Sequence, residues 1–259
     1  VAVEDGSDVG GGHALVGWHS EPGVGTAEAW TVPAARGRGV GQELYERMLA
    51  WAVARGCLAV DTNVVEDDPA SLAWAERRGF RRIGSTSFRV LDLAGAAPDV
   101  RRPEGIEIAT WAERPGIERD LYAVFCEASP DVPGHGHAAV PPFERWLAHD
   151  MKGASDRSDA VFVAFAGGEV VGYAKLAFGD PTGEIAWHDL VGVKRAWRGR
   201  GIAGALKRTQ IVWAKQQGFR QLKTRNEERN LPIARLNEQL GYVLEPGTIQ
   251  LRTMLSSPD

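Results

Sequence analysis

Arg36-Gly37-Arg38-Gly39-Val40-Gly41 recurs 162 positions later as Arg198-Gly199-Arg200-Gly201-Ile202-Ala203. Carried forward without a gap, that offset pairs Leu44 with Leu206, Trp51 with Trp213, Gly56 with Gly218, Thr62 with Thr224 and Gly79-Phe80 with Gly241-Tyr242. Arginine- and glycine-rich composition makes isolated matches by chance, but it does not hold two tryptophans and two later glycines in one register. The chain carries two copies of one structural unit.

Each copy reads as strand, glycine turn, helix, strand and helix. In the second, 184–193 is apolar enough for a buried strand, and the turn falls at 198–201. Ala203, Leu206, Ile211 and Trp213 then continue in a helix ended by Gly218, a residue suited to the left-handed position after a helix. A strand over 219–224 follows. Asn230 is placed to cap a helix that begins near Pro232 and ends at Gly241. A closing hairpin is expected next, with strands 242–244 and 248–254 about a turn at Pro246-Gly247. The first copy repeats this with strands over 27–32, 58–63 and 87–93 and helices over 41–55 and 69–78.

Upstream of its turn the second copy adds a strand over 106–109, helices over 117–127 and 143–151, and a hairpin of 160–166 with 170–178 about Gly167-Gly168. The first copy offers only 1–3 and 14–19 there, so it is expected to be N-terminally incomplete. Pro98, Pro103 and Gly105 mark a linker. The expected domains are 1–97 and 104–259.

The 259 residues are 44% hydrophobic and 25% charged, a composition that excludes disorder and leaves room for two cores. A net charge of -4 argues against nucleic acid as the main partner. Two cysteines, Cys57 and Cys126, build neither a disulfide framework nor a cysteine zinc site, which fits a cytoplasmic protein. No stretch approaches the apolar length of a membrane span. His135-Gly136-His137 in a Pro/Gly loop lacks acidic or cysteine partners, so no metal is expected.

A strand that ends in an Arg/Gly turn opening directly into a helix aims free backbone N–H groups and the positive end of a helix dipole at one point, which suits an anion. The arginines add donors matched to phosphate oxygens. Gly199, Gly201 and Gly204 also spell a dinucleotide-binding fingerprint with Glu227 downstream. Too little chain follows residue 204 to build the parallel units that fingerprint needs, and Gln42 replaces its third glycine in the first copy.

RxxGxG at Arg36, Gly39 and Gly41, and RxxGxA at Arg198, Gly201 and Ala203, resemble the acyl-CoA pyrophosphate loop of the GCN5-related N-acetyltransferase (GNAT) superfamily. Thr224-Arg225-Asn226, with Asn230, Asn237 and Leu240-Gly241-Tyr242, is similar to the motif that flanks the pantetheine arm. The resemblance implies an α/β (α+β) fold of two tandem units, each a mixed, mostly antiparallel sheet splayed open to admit CoA and flanked by helices. It implies acetyl-CoA as cofactor, bound in the second copy by Arg198, Gly199, Arg200, Gly201, Ile202 and Ala203, with Asn226, Asn230 and Asn237 along the arm. Backbone groups at Val191 and Val193 would pair with the pantetheine as with a surrogate strand. Arg36, Gly37, Arg38, Gly39 and Gly41 form the matching loop of the first copy.

Acyl transfer to an amine needs a base and a donor for the developing oxyanion. In many members the base is a carboxylate on the fourth strand, which here holds Asp189 and His188. Alternation puts Asp189 on the face of Val191 and Val193, and His188 on the other unless a bulge intervenes. Asp189 is the first choice and His188 the second. Asn237, and Ala75 in the first copy, stand where relatives carry an acidic tyrosine. The first copy has Val64 and the acidic run Glu66-Asp67-Asp68 near its arm, where carboxylates cost anion binding, and only Glu28 as a possible base. The second copy is therefore expected to be the catalytic one, an N-acetyltransferase acting on the primary amine of a small molecule. A mycothiol-synthase-like enzyme and a non-catalytic acyl-CoA sensor are the alternatives.

Overall fold

The computed structural model describes residues 1–17, 20–132, 140–227 and 229–255. The elements run in the order β1 (Ala2–Glu4), β2 (Ser7–Leu15), β3 (Val24–Thr31), α1 (Val40–Ala54), β4 (Ala59–Val65), α2 (Pro69–Glu76) and β5 (Arg81–Asp92). Then follow β6 (Ile106–Thr110), α3 (Glu118–Ala128), α4 (Phe143–Trp146), β7 (Val161–Ala166), β8 (Glu169–Ala177), β9 (Ile185–Val193), α5 (Ile202–Gln216), β10 (Gln221–Glu227), α6 (Leu231–Gln239) and β11 (Val243–Met254). Among the described residues no helix is long and apolar enough to cross a membrane.

Two compact units emerge, and the first is not a contiguous stretch. One comprises Val1–Thr86 with Pro246–Asp259, the other Ser87–Glu245. The expected hairpin at Pro246-Gly247 is absent, because β11 runs straight through it for 12 residues. Its second half pairs antiparallel with β4, from Thr248 opposite Val65 to Met254 opposite Ala59. In the other unit the second half of β5 lies beside β10. Each unit thus takes its closing strand from the other copy, so the compact units differ from the spans 1–97 and 104–259. Glu66 and Gly247 exchange contacts at the crossing point: Glu66 N donates to Gly247 O, and Gly247 N to Glu66 Oε2.

In the first unit β1, β2 and β3 are antiparallel, and β3 pairs parallel with β4 only from Val24 opposite Ala59 to Thr26 opposite Asp61. In the second, β6 to β9 are antiparallel, and β9 pairs parallel with β10 only from Ile185 to His188. Beyond those points both strand pairs splay, as the family resemblance implies.

Strand alternation sends Val163 and Tyr173 to one face of the second unit's sheet, where they pack with Trp111 and with Leu121, Phe125 and Trp146 of α3 and α4. Phe162, Ala174, Val193, Ile202 and Leu206 pack on the other, under α5. Each large side chain buried there contributes about 1.5 to 3 kcal/mol.

Local departures have local causes. The expected helix over 143–151 widens at Leu147–Met151 into a π turn, and there the carbonyl of Asp150 accepts from Lys175 Nζ. Asn230 occupies the N-cap position of α6 but makes no side-chain cap bond. Asp68, by contrast, caps α2 by accepting from Ser71 N at 3.0 Å. The expected left-handed glycine after α5 is Gly218, with φ +86.

Candidate active site

The two glycine turns are built alike. Gly37 and Gly39, and Gly199 and Gly201, all hold positive φ. A Cβ at Gly37, Gly39 or Gly199 would meet nothing within 4 Å. The first intrahelical donors of these turns are Glu43, to Gly39 O at 3.0 Å, and Ala205, to Gly201 O at 3.0 Å, so the preceding amides have no partner in their own helix. Each turn's first arginine reaches back to the end of its strand: Arg36 Nε donates to Thr31 O at 3.3 Å and Arg198 Nε to Val193 O at 2.9 Å. Both arginines therefore brace the turn. Arg198 also pairs with Asp131 at 2.7 Å, and Arg195 with Asp131 at 2.8 Å, which together hold the Asp131 carboxyl down to about 2. Arg38 pairs with Glu4, while Arg200 donates to Ala196 O at 3.2 Å and lies over the Trp197 ring. Ile202 is core and Ala203 packs against it.

The splay in the first unit opens a cleft of about 640 Å³. It is lined by Arg36, Gly37, Gly39 and Gly41 of the turn, by Ala29 to Thr31 of β3, by Thr62 to Val65 of β4, and by Tyr45, Met48, Trp74 and Arg78 of the two helices. An unpaired strand edge, an amide-rich turn and apolar walls fit a diphosphate on an extended, amide-bearing arm. Asp68 lines this cleft with its carboxylate spent on Ser71, whose hydrogen bonds lower its proton affinity. Glu28 accepts from Asn63 Nδ2 at 2.9 Å.

In the second unit the positions equivalent to Tyr45, Met48, Val64 and Ala75 are Lys207, Gln210, Asn226 and Asn237, and all four are buried. Asn237 Nδ2 donates to Asn226 Oδ1 at 2.9 Å, and Arg89 Nη1 approaches the same oxygen at 3.4 Å. Asn237 Oδ1 and Gln210 Nε2 have no hydrogen-bond partner among the described residues. Burial drives Lys207 down to about 7. Asn226 and Asn237 are thus brought together, while Asn230 sits apart at the start of α6.

His188 belongs to this interior. Its Nδ1 lies 2.9 Å from Gln210 Oε1 and its Nε2 meets the Tyr242 hydroxyl, so both ring nitrogens are engaged. Burial, and then the Lys207 charge, hold it well below the ordinary histidine range, which makes it neutral. Asp189 lies beyond a bulge in β9. The β8 register steps from Ala174 opposite Val191 to Leu176 opposite His188, so β9 carries one extra residue. The equivalent β2–β3 ladder runs from Gly10 opposite Thr31 to Leu15 opposite Thr26 with no such shift.

Asp189 meets residues that composition and spacing did not single out. Lys175 Nζ, on β8, lies 3.1 Å from Asp189 Oδ2 and 2.8 Å from Asp156 Oδ1, and donates to the Asp150 carbonyl. Lys175 is 5% exposed, whereas the Asp189 side chain is 47% exposed. Burial pushes the Asp150 carboxyl up to about 7, with the Asp189 charge adding to the rise, Lys175 opposing it and Asp156 adding a smaller push. One sequence signal existed: a lysine inside the apolar strand Glu169–Ala177. His135 and His137 lie outside the described residues.

The acetyltransferase (GNAT) family model matches residues 1–80 and 118–242. The chain belongs to this family and is an N-acetyltransferase. It is 28% identical over 235 residues to a mycothiol acetyltransferase of Acidothermus cellulolyticus, covering 84% of this chain and 68% of the relative. It is 32% identical over 109 residues to an L-2,4-diaminobutyric acid acetyltransferase of Nocardia farcinica, covering 41% of this chain and 55% of that one. Its fold is similar to a GCN5-related N-acetyltransferase from Sphaerobacter thermophilus, with TM-score 0.78 and 24% identity over 96% of this chain and 78% of the other. It is also similar to a tandem GNAT protein from the clavulanic acid biosynthesis pathway, with TM-score 0.69 and 20% identity over 91% and 76%.

Proposed function

We propose that the protein is an acetyl-CoA-dependent N-acetyltransferase acting on the primary amine of a small molecule, with its reacting centre in the second unit. The observation that carries this reading is the β9 bulge, which presents Asp189 beside a splayed strand edge and has no counterpart in β3. Bound acetyl-CoA supplies a thioester carbonyl open to attack by nitrogen. The chain's own part is to seat the diphosphate on the amides after Arg198, to align the arm along β9, and to hold the amine at Asp189. Such alignment accounts for much of the rate gain in acyl transfer. Asn226 and Asn237 steady the arm as a bonded pair. His188, neutral and doubly bonded, supports β9 from behind and is the weaker candidate for base.

The first unit reads as a second acyl-CoA site without turnover. Its cleft is open and its turn is intact, but Glu28 is held by Asn63 and no bulge aims it at a ligand.

A mycothiol-type acceptor is the second reading. It is favoured by relatives such as those from Acidothermus cellulolyticus and Brachybacterium faecium, the latter 29% identical over 244 residues, whose names state that activity.

Calorimetry with acetyl-CoA on the wild type, Gly39→Val and Gly201→Val, joined to thiol release across an amine panel that includes the acceptor of a mycothiol acetyltransferase, tests these readings. Two sites are expected, one lost in each variant, with turnover lost only in Gly201→Val. Turnover that disappears in Gly39→Val and survives in Gly201→Val would reverse the assignment of units.

A further inference from the structure

The splayed strand pairs of the two units end on different chemistry. In the first unit β3 and β4 part beyond Thr26 opposite Asp61, and in the second β9 and β10 part beyond His188 opposite Thr224. Trp187 stands opposite Lys223, the residue that the 162-residue offset assigns to Asp61. Trp187 therefore answers to Thr26 and His188 to Ala27, one residue off the sequence offset. The extra residue of the β9 bulge accounts for that step.

At this inner end the second unit is occupied by a bonded ring. His188 Nδ1 lies 2.9 Å from Gln210 Oε1 and its Nε2 meets the Tyr242 hydroxyl, and both partners are buried. Moving the ring aside would strand buried polar groups. The first unit has Ala27, Met48 and Phe80 at the same three positions, so no side-chain hydrogen bond pins them to one another and alanine leaves the room that the imidazole takes. All three line the cleft of about 640 Å³. Tyr45, Val64 and Ala75 continue the apolar wall where the second unit has Lys207, Asn226 and Asn237.

The charges of the first unit's cleft lie toward its other end. Arg36 Nε donates to Thr31 O at 3.3 Å and Arg78 Nε to Gln42 Oε1 at 2.9 Å, which sets both guanidinium groups near the glycine turn. The cleft is thus cationic and amide-rich where a diphosphate would sit, and apolar where the arm leads.

We propose that the first unit is a binding site for acyl-CoA thioesters whose acyl chain is apolar and longer than acetyl, with the chain seated among Ala27, Met48 and Phe80. This rests on the reading of the first unit as an acyl-CoA site and adds what that site selects.

The selection has two parts. A chain that grows past acetyl takes apolar surface out of water against Met48 and Phe80, so each methylene strengthens binding. The unbranched thioether of Met48 adapts to chains of different shape. A carboxylate at the end of the same chain would be desolvated there, with both guanidinium groups at the far end, and that weakens binding. In the second unit chain growth gains nothing, because His188 fills the equivalent place.

Calorimetry with acetyl-, butyryl-, hexanoyl- and succinyl-CoA tests this on the wild type and on Gly201→Val, in which the first unit alone binds. In Gly201→Val affinity should rise about 15-fold from acetyl- to butyryl-CoA, at about 0.8 kcal/mol per buried CH2, and rise again to hexanoyl-CoA. Succinyl-CoA, as long as butyryl-CoA but ending in a carboxylate, should bind about tenfold more weakly than it or worse. The wild type needs no substitution: one of its two sites should show this series, and the other should gain nothing with chain length. Ala27→His, which places the second unit's residue at the inner end, should erase the rise from acetyl- to hexanoyl-CoA. Should Ala27→His unfold, Met48→Gln, at a half-buried position, should shrink the rise and narrow the gap between butyryl- and succinyl-CoA. Equal affinity across the chain series, or succinyl-CoA as tight as butyryl-CoA, overturns the proposal and leaves the first unit an acyl-CoA site. If Gly201→Val binds no CoA thioester and the wild type binds a single equivalent, the reading of the first unit fails and this inference fails with it.

Discussion

The backbone N–H of Leu93 donates to the carbonyl of Arg220 at 2.9 Å, and Leu255 repeats the bond to Leu58 at 2.8 Å. At the 162-residue offset Leu93 answers to Leu255 and Leu58 to Arg220, so one closing contact occurs twice with its strands exchanged. A fragment spanning 87–245 is therefore expected to fold, with dispersed amide resonances. One spanning 104–259 lacks residues 87–92 and should show poor dispersion. Equal dispersion in both fragments would mean that the exchanged strand is dispensable.

Arg252 holds the exchanged half of β11 against β4. Its guanidinium grips Asp61 at 2.6 and 2.9 Å and Glu21 at 2.7 Å, and these carboxylates raise its proton affinity further. Arg252→Ala leaves two partly buried carboxylates facing each other. A loss of about 2 kcal/mol is expected, together with faster amide exchange along Ala59–Val65 and no change along Gln221–Glu227. Uniform acceleration in both strands would show that the clamp is not local.

How far the residues announced this architecture depends on which interactions are local. The repeat and the positive-φ glycines follow from short-range rules, whereas the splay, and Asp189 as a candidate on the fourth strand, came from the family resemblance. Strand exchange is invisible to such rules, because 87–93 and 248–254 are both short strands with apolar residues at alternate positions, and pattern alone does not say which sheet each one closes. Lys175 went unread because a fully buried strand reads as an apolar run, and its partner Asp150 sits in a turn whose π widening no periodicity foretells. The helix pattern singled out Ala203, Leu206, Ile211 and Trp213 and said nothing of Lys207 and Gln210, which only the packed interior shows to face inward.

Lys207 gives that interior a measurable pH dependence. Its folded value is about 7, below the ordinary lysine value of 10.5, so between those limits the unfolded chain binds more protons than the native one. Stability should rise with pH across that window, by about 1.4 kcal/mol per unit at most. Lys207→Met should flatten the slope and stabilise the protein near neutrality, as read by urea unfolding at pH 6, 7.5 and 9. A variant with the wild-type slope would place the titrating buried charge elsewhere.

Gly192 tests whether the bulge is held by its neighbours. A Cβ there would come within 2.9 Å of Ala128 Cβ and 3.5 Å of Val124 Cγ1, so α3 lies directly on β9 just beyond Asp189. Gly192→Ala forces the helix or the strand to shift, and overpacking of this kind costs about 1 to 3 kcal/mol. A shift of β9 also moves Asp189 relative to Lys175, which would appear as a higher KM for the amine. Ala128→Gly removes the opposing carbon, and the double variant should regain part of both losses, with a coupling of about 0.5 kcal/mol or more. Additive losses would separate the helix contact from the bulge, and the position of Asp189 would then depend on Lys175 alone.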